Sequence, residues 1–367
     1  SRVNAFFKEF TSDTYKLCSS PRLRLHAIAL AATGDAAQIA ARAGVWSGSV
    51  GKQQVLACFD RSDDAKYYYL KHSNTIPLSA VDGKNLAWTE GRGDGATGRW
   101  RVRAVAPDRL EGEWSGPKGQ RKAPIVLTRS YAVADGKGNC DDAGNALSDA
   151  FNGPRLDAQK VTRQAAVFGR RAYAKLSTLG GSIQSLAFPP AQPGMAGVNK
   201  LIDRFARAAM QQYFDCAAPG QDYNSSVTIT YWSKNWLSIG QHREGFCGGA
   251  YPFHQLQQRT IDIAGGTEVD LWTWFKHDGK GDSQATPALQ KLILSGDGAD
   301  TSDPECGPLL TAARYYQLSL GDKGMVFSTT FPHVAQACDM DIVVPYAKLA
   351  PFLSESGKAA LQTVQAP

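Results

Sequence analysis

From Trp46 to Leu127 the apolar residues come in short blocks: VWSGSV, QQVLACF, KYYYLKH, KNLAWTE, RWRVRAV, RLEGEWS and APIVLTR. Gly51, Ser62-Asp63-Asp64, Asp82-Gly83, the stretch from Gly93 to Gly98, and Pro117-Lys118-Gly119 separate them. In the fifth block Trp100, Val102 and Ala104 alternate with Arg101, Arg103 and Val105. Such a period places one set of side chains inside and the other outside. Short strands at near-regular spacing, each closed by a turn, predict a small antiparallel β-barrel or sandwich over residues 43–131.

The pattern differs on either side. Residues 1–42 read as an N-terminal helical segment, with Ser19-Ser20-Pro21 as a polar cap followed by proline at the first helical position. Residues 132–160 are rich in Gly, Asp and Asn and lack a period, so they are read as a linker. Residues 161–367 alternate strand and helix patterns and predict a mixed α/β domain with an antiparallel sheet. Its clearest element is a helix over 197–214, where Val198, Leu201, Ile202, Phe205, Ala209 and Tyr213 form one stripe. The expected class is therefore α+β, in a chain of 367 residues that is long for a single core.

Composition adds the compartment. Cys18, Cys58, Cys140, Cys216, Cys247, Cys306 and Cys338 form no CxxC and no zinc-type Cys/His pair. Cys140, Cys247, Cys306 and Cys338 sit beside Gly, Pro or Asp in turn-like sequence, which favours disulfides and export over thiols filling a core. The expected pairs are Cys216–Cys247, Cys306–Cys338 and Cys18–Cys58, and the expected compartment is the periplasm. The longest apolar run, residues 27–32, falls far short of the roughly 20 residues of a membrane span. A removed leader, and with it a lipid anchor, would lie upstream of Ser1. The net charge of +6 is mild and spread along the chain, so no nucleic-acid partner is expected.

Catalytic signatures are missing: there is no G-x-S-x-G, H-E-x-x-H or Walker loop. Gly93 to Gly98 matches G-x-G-x-x-G by letter but lies between two strands and opens no helix, so it reads as a turn. The Asp/Gly stretches at Asp135, Asp278 and Asp297 lack the closing Glu of a calcium loop. No catalytic residue, metal or cofactor is assigned.

Several blocks carry a resemblance. Ala187-Phe-Pro-Pro precedes Val198-Asn199-Lys-Leu-Ile and the amphipathic helix. Then come Ser238-Ile-Gly-Gln-His-Arg-Glu-Gly-Phe-Cys-Gly-Gly-Ala-Tyr-Pro252 and Thr260-Ile-Asp-Ile-Ala-Gly-Gly-Thr-Glu-Val-Asp-Leu-Trp-Thr-Trp-Phe275. Gly324-Met-Val-Phe, Phe331-Pro-His-Val-Ala335, Ile342-Val-Val-Pro-Tyr346 and Leu349 close the series. Together, over about 180–355, they resemble the paired extracellular domains of RsiV-type lysozyme-sensing anti-sigma factors and of certain peptidoglycan deacetylases. Tyr251 stands where that family's turn has a histidine, and Cys247 is an addition. The deacetylases' activity belongs to a separate catalytic domain and is not carried over. At the front, Leu17-Cys-Ser-Ser-Pro-Arg-Leu23 with Leu30-Ala-Ala resembles the small helical unit of LprI-type lysozyme inhibitors, without its first Cys and its Asp.

The resemblance implies a binding protein: an inhibitor of, or immunity protein against, a lysozyme-like peptidoglycan hydrolase. Such an enzyme keeps a carboxylate pair in a deep cleft that a rigid loop bearing donors or aromatics can fill. His242, Arg243, Gly248, Gly249 and Tyr251 are the candidate partner-binding residues. A chain of net charge +6 is not steered to a strongly basic partner, so a bacterial hydrolase that is not strongly basic is expected. The other readings are an envelope sensor or peptidoglycan-binding protein, stacking Trp232, Trp236, Trp272 or Trp274 on glycan, and an enzyme of unrecognised type acting on cell wall.

Overall fold

The structure, a computed structural model, describes residues 42–60, 65–81, 86–91, 95–133, 138–141, 145–216, 222–248, 250–276 and 284–364. The helical segment expected over 1–42 lies outside them except for Arg42, as do Cys18 and Gly249.

The first unit is a closed barrel. Strands β1 (Gly44–Val50), β2 (Gln53–Phe59), β3 (Ala65–Tyr69), β4 (Ile76–Ala80), β5 (Ala87–Glu90), β6 (Gly98–Ala106), β7 (Arg109–Ser115) and β8 (Lys122–Ala132) pair antiparallel in order, and β8 returns to β1. Closure removes the exposed edges that an open sheet must protect. Trp46, Phe59, Tyr67, Leu78, Trp88, Trp100, Leu110, Ile125 and Leu127 fill the interior.

Glu90 is buried in that interior. Its carboxylate accepts hydrogen bonds from Tyr67 Oη at 2.8 Å, Thr97 Oγ1 at 2.7 Å, Trp100 Nε1 at 3.2 Å and Trp114 Nε1 at 2.7 Å. A buried carboxylate is tolerated because these donors replace water. A Cβ on Gly98 would lie 2.3 Å from Trp114 Nε1, so glycine there leaves room for the indole to reach the acid. Burial, and then the neighbouring Glu90, push the Tyr67 phenol far above its ordinary value, so it stays a donor.

The stretch read as a linker is partly structured. Its later portion is helix α1 (Ala146–Asp157), capped by Asn145 Oδ1, which accepts from the Ser148 amide at 2.9 Å. Gly153 and Pro154 hid the helix. Leu156 packs on one side against Ile183, Met210 and Phe214, whereas Leu147 and Phe151, four residues apart, share another buried face. That face covers the outside of the barrel, where Val45, Leu56, Cys58 and Tyr68 gather with Cys140, Leu147 and Phe151. Cys58 is therefore bonded to Cys140 and not to Cys18. Asp60, which accepts from the Cys140 amide at 3.3 Å, and the Lys66–Asp141 ion pair hold the Cys140 segment there.

The second unit has a helix on one face of a sheet and a smaller sheet on the other. Among the described residues, β9 (Thr162–Phe168), β10 (Arg171–Thr178), β11 (Ile183–Ala187), β12 (Asp222–Trp232), β13 (Trp236–Phe246), β14 (Phe253–Asp262) and β15 (Thr267–Val269) form one sheet in order 15-14-13-12-11-10-9. Only β11 and β12 are parallel, joined by helix α2 (Met195–Cys216). Val198, Leu201 and Ile202 of α2 pack on Leu237, Ile239 and Ile261. Ser238, between the first two of these, faces the other way and accepts from the Leu320 amide at 3.1 Å. That side carries the sheet β16 (Gln317–Leu320), β17 (Met325–Ser328) and β18 (Asp341–Val344). Around it lie α3 (Pro287–Ile293), α4 (Cys306–Ala312), α5 (Tyr346–Leu349) and α6 (Glu355–Val364). No helix among the described residues is long and apolar enough to cross a membrane.

Arg155 of α1 ties the units together. It is 2% exposed, and its Nη1 donates to the Ser73 carbonyl at 2.8 Å and to Thr75 Oγ1 at 2.7 Å on the barrel. Nη2 donates to Asn152 Oδ1 at 2.5 Å and reaches Asp215 Oδ1 of α2 at 3.3 Å. The guanidinium stacks over Tyr68 and Phe214 at 4.9 and 4.8 Å. Burial lowers its pKa and Asp215 opposes that shift. Arg155→Ala is expected to lower the unfolding free energy by about 3 kcal/mol. It removes one cation from Asp215, which keeps Thr75 and the more distant Lys66, and it leaves Asn152 and the Ser73 carbonyl without their donor. Urea denaturation of the variant checks this, and a loss below ~1 kcal/mol would contradict the role.

Candidate functional site

Strands β13 and β14 form a long hairpin that ends in the loop 247–252. Cys247 opens the loop and is bonded to Cys216 at the end of α2. Gly248 follows with φ +91°, a conformation that a side chain makes costly. Tyr251 is 69% exposed near the loop's end, and Pro252 leads into β14.

A second segment braces the loop from the smaller sheet's side. The Tyr251 ring stacks on His333 with centroids 5.2 Å apart and an interplanar angle of 27°. His333 begins a 3₁₀ helix, His333–Cys338, whose last residue is bonded to Cys306 of α4. Gln336 of the same turn donates to the His254 carbonyl at 2.5 Å and lies 3.2 Å from His254 Nδ1. Asp339 accepts from the Phe331 amide at 2.6 Å, and burial raises its carboxyl pKa. The site thus lies between two disulfides, both joining pairs named from the sequence.

The strand pleat separates the candidate residues. His242 and Arg243 are neighbours in β13 and project to opposite faces. His242 lies on the side of His254, with ring centroids 6.4 Å apart. Arg243 lies on the α2 side, where its Nη1 donates to Gln212 Oε1 at 3.3 Å beside Tyr223. Burial pushes the Tyr223 phenol up to about 12, against the pull of Arg243. Tyr251 and Gly248 are on the loop itself, and Gly249 is outside the described residues. The structure therefore brings Tyr251 together with His333, and sets Arg243 back against α2.

His333, Gln336 and His254 were missed as site residues. The block Phe331-Pro-His-Val-Ala335 contained His333, yet nothing in its spacing showed that it folds back onto a loop some 80 residues earlier. Trp232, Trp236, Trp272 and Trp274, considered for glycan stacking, are all buried. Among the described residues no cluster of His, Cys, Asp or Glu is placed to hold a metal ion.

No family model and no curated protein matches the chain. Among solved structures it is similar to a DUF3298 family protein from Pseudomonas aeruginosa PAO1, with a TM-score of 0.36 at 14% identity over 55% of this chain and 97% of that one. It is also similar to a DUF3298 family member from Bacteroides fragilis NCTC 9343, with a TM-score of 0.35 at 11% identity over 57% and 98% of the two chains. The RsiV-type and LprI-type resemblances rest on the sequence blocks alone.

The Cys216–Cys247 bridge closes a loop of 31 residues between α2 and the hairpin. Replacing both cysteines by Ala is expected to cost about 3 kcal/mol, mostly through the unfolded chain. Thermal unfolding checks the loss, and an unchanged melting temperature would contradict it.

Proposed function

We propose that the chain is an exported envelope protein, placed in the periplasm, that binds a lysozyme-like peptidoglycan hydrolase and occludes its cleft. On this reading it acts by binding and not by catalysis. The observation that carries it is Tyr251: a large aromatic ring, mostly exposed, on a short loop braced by the Cys216–Cys247 disulfide and the His333 ring. Exposed aromatics on rigid supports are the usual anchors of protein interfaces, because little conformational entropy is lost when they are buried. A phenol also donates a hydrogen bond, which suits a cleft built around two carboxylates.

Further support is general. The three disulfides fit an oxidising compartment. The loop 247–252 itself carries no charged residue, and the chain's net charge is +6, so a hydrolase that is not strongly basic is the fitting partner. The RsiV-type resemblance of the sequence blocks around this turn is in keeping with the reading.

Affinity should depend on few residues. Tyr251→Ala is expected to weaken hydrolase binding by about 1–3 kcal/mol. Gly248→Val should also weaken it, since a β-branched residue resists a positive φ. Arg243→Ala should do less than either, because Gln212 holds that side chain against α2. Capture of hydrolases from a periplasmic extract, then affinity measurement on folded variants, checks the order. Folded Tyr251→Ala protein that binds as tightly as wild type would remove this loop from the mechanism.

A further inference from the structure

Beside the loop a groove of about 1180 Å³ runs along the outer edge of β14, larger than a pocket for a compact small molecule. Gln255, Gln257 and Arg259 line it on the α2 face, and Tyr315 and Gln317 on the smaller sheet's side. That edge is open, since β15 pairs only with Thr260–Asp262. An open edge ordinarily invites another strand. Here glutamine side chains already occupy it. Gln317 Oε1 accepts from the Gln258 amide at 2.7 Å, and its Nε2 donates to the Leu256 carbonyl at 2.7 Å. Gln336 takes the His254 carbonyl in the same way. Added backbone would have to displace these amides, so recognition falls to the side chains lining the groove.

Those side chains are of two kinds. Tyr251 and Tyr315 present rings that are 69% and 65% exposed. Gln255, Gln257, Glu268 and Asp270 supply amides and carboxylates. Three atoms of lining residues, Arg243 Nε, Gln258 Oε1 and Arg259 Nε, are buried without a protein partner. Arg259 pairs with Glu268 at 2.7 Å, and with Asp270 and Asp339 also in the lining its two arginines face three carboxylates, so it carries no excess of positive charge to attract a polyanion. A ligand suited to this lining offers hydroxyls and amides for hydrogen bonding and apolar ring faces for the tyrosines.

We propose that the groove binds a neutral oligosaccharide strand bearing hydroxyl and acetamido groups. This goes beyond hydrolase binding and is independent of it: the groove holds glycan through Tyr315 and the glutamines, while the loop at its end meets the enzyme.

The test uses the full chain and no hydrolase. The N-acetylglucosamine tetramer is titrated into wild type, Tyr315→Ala and Gln255→Leu by isothermal calorimetry, with circular dichroism as a folding control. Saturable binding is expected, weakened about five- to tenfold by Tyr315→Ala. Gln255→Leu, a change at an exposed position, should also weaken it. A peptide of alternating Val and Thr should not compete. Absence of saturable binding, binding unchanged in both folded variants, or displacement by the peptide would each overturn the proposal.

Discussion

The buried guanidinium of Arg155 sets how the two units meet. A charge taken out of water is tolerated only where donors and acceptors replace the lost hydration. The Ser73 carbonyl, Thr75, Asn152 and Asp215 supply acceptors from the barrel, α1 and α2. Because all three elements must be in place at once, the barrel, its covering helix and the second unit take one arrangement. The end of α2 carries Asp215 and, next to it, Cys216, whose disulfide braces the hairpin loop. The same helix end therefore serves the junction and the site.

Rigidity at the loop comes from covalent and aromatic contacts on two sides. Cys216–Cys247 fixes its start to α2, and Cys306–Cys338 fixes the turn that carries His333. Tyr251 is thus exposed without being loose. Val334, beside His333, is 93% exposed, and Tyr315 borders the adjoining groove, so several of the large exposed apolar side chains border this region. Among the described residues Tyr251 and Tyr315 are the large aromatics that are mostly exposed, and their nearness to one groove is the physical sign of a binding face.

Much of the fold was legible in the sequence. Barrel strands announced themselves because turn residues punctuate them and Trp100 alternates with arginines. Strand β4 escaped because Pro77 reads as a breaker and Leu78 is its one fully inward apolar residue. Helix α1 escaped for a similar reason, with Gly153 and Pro154 inside it. Partners distant in sequence were the harder part. Cys58 had several possible partners, and the one chosen depends on α1 covering the barrel wall. Arg243 was grouped with His242 by proximity along the chain, although the strand pleat turns them apart.

The measurement that tests the central claim most directly is hydrogen exchange on the chain with and without a captured peptidoglycan hydrolase. Loop occlusion predicts that slowed exchange concentrates in 247–252 and 333–338, and that a hydrolase whose cleft is closed by a covalent, non-saccharide block no longer produces it. Slowed exchange confined to the barrel turn 116–121, with the 247–252 loop unchanged, would contradict the account.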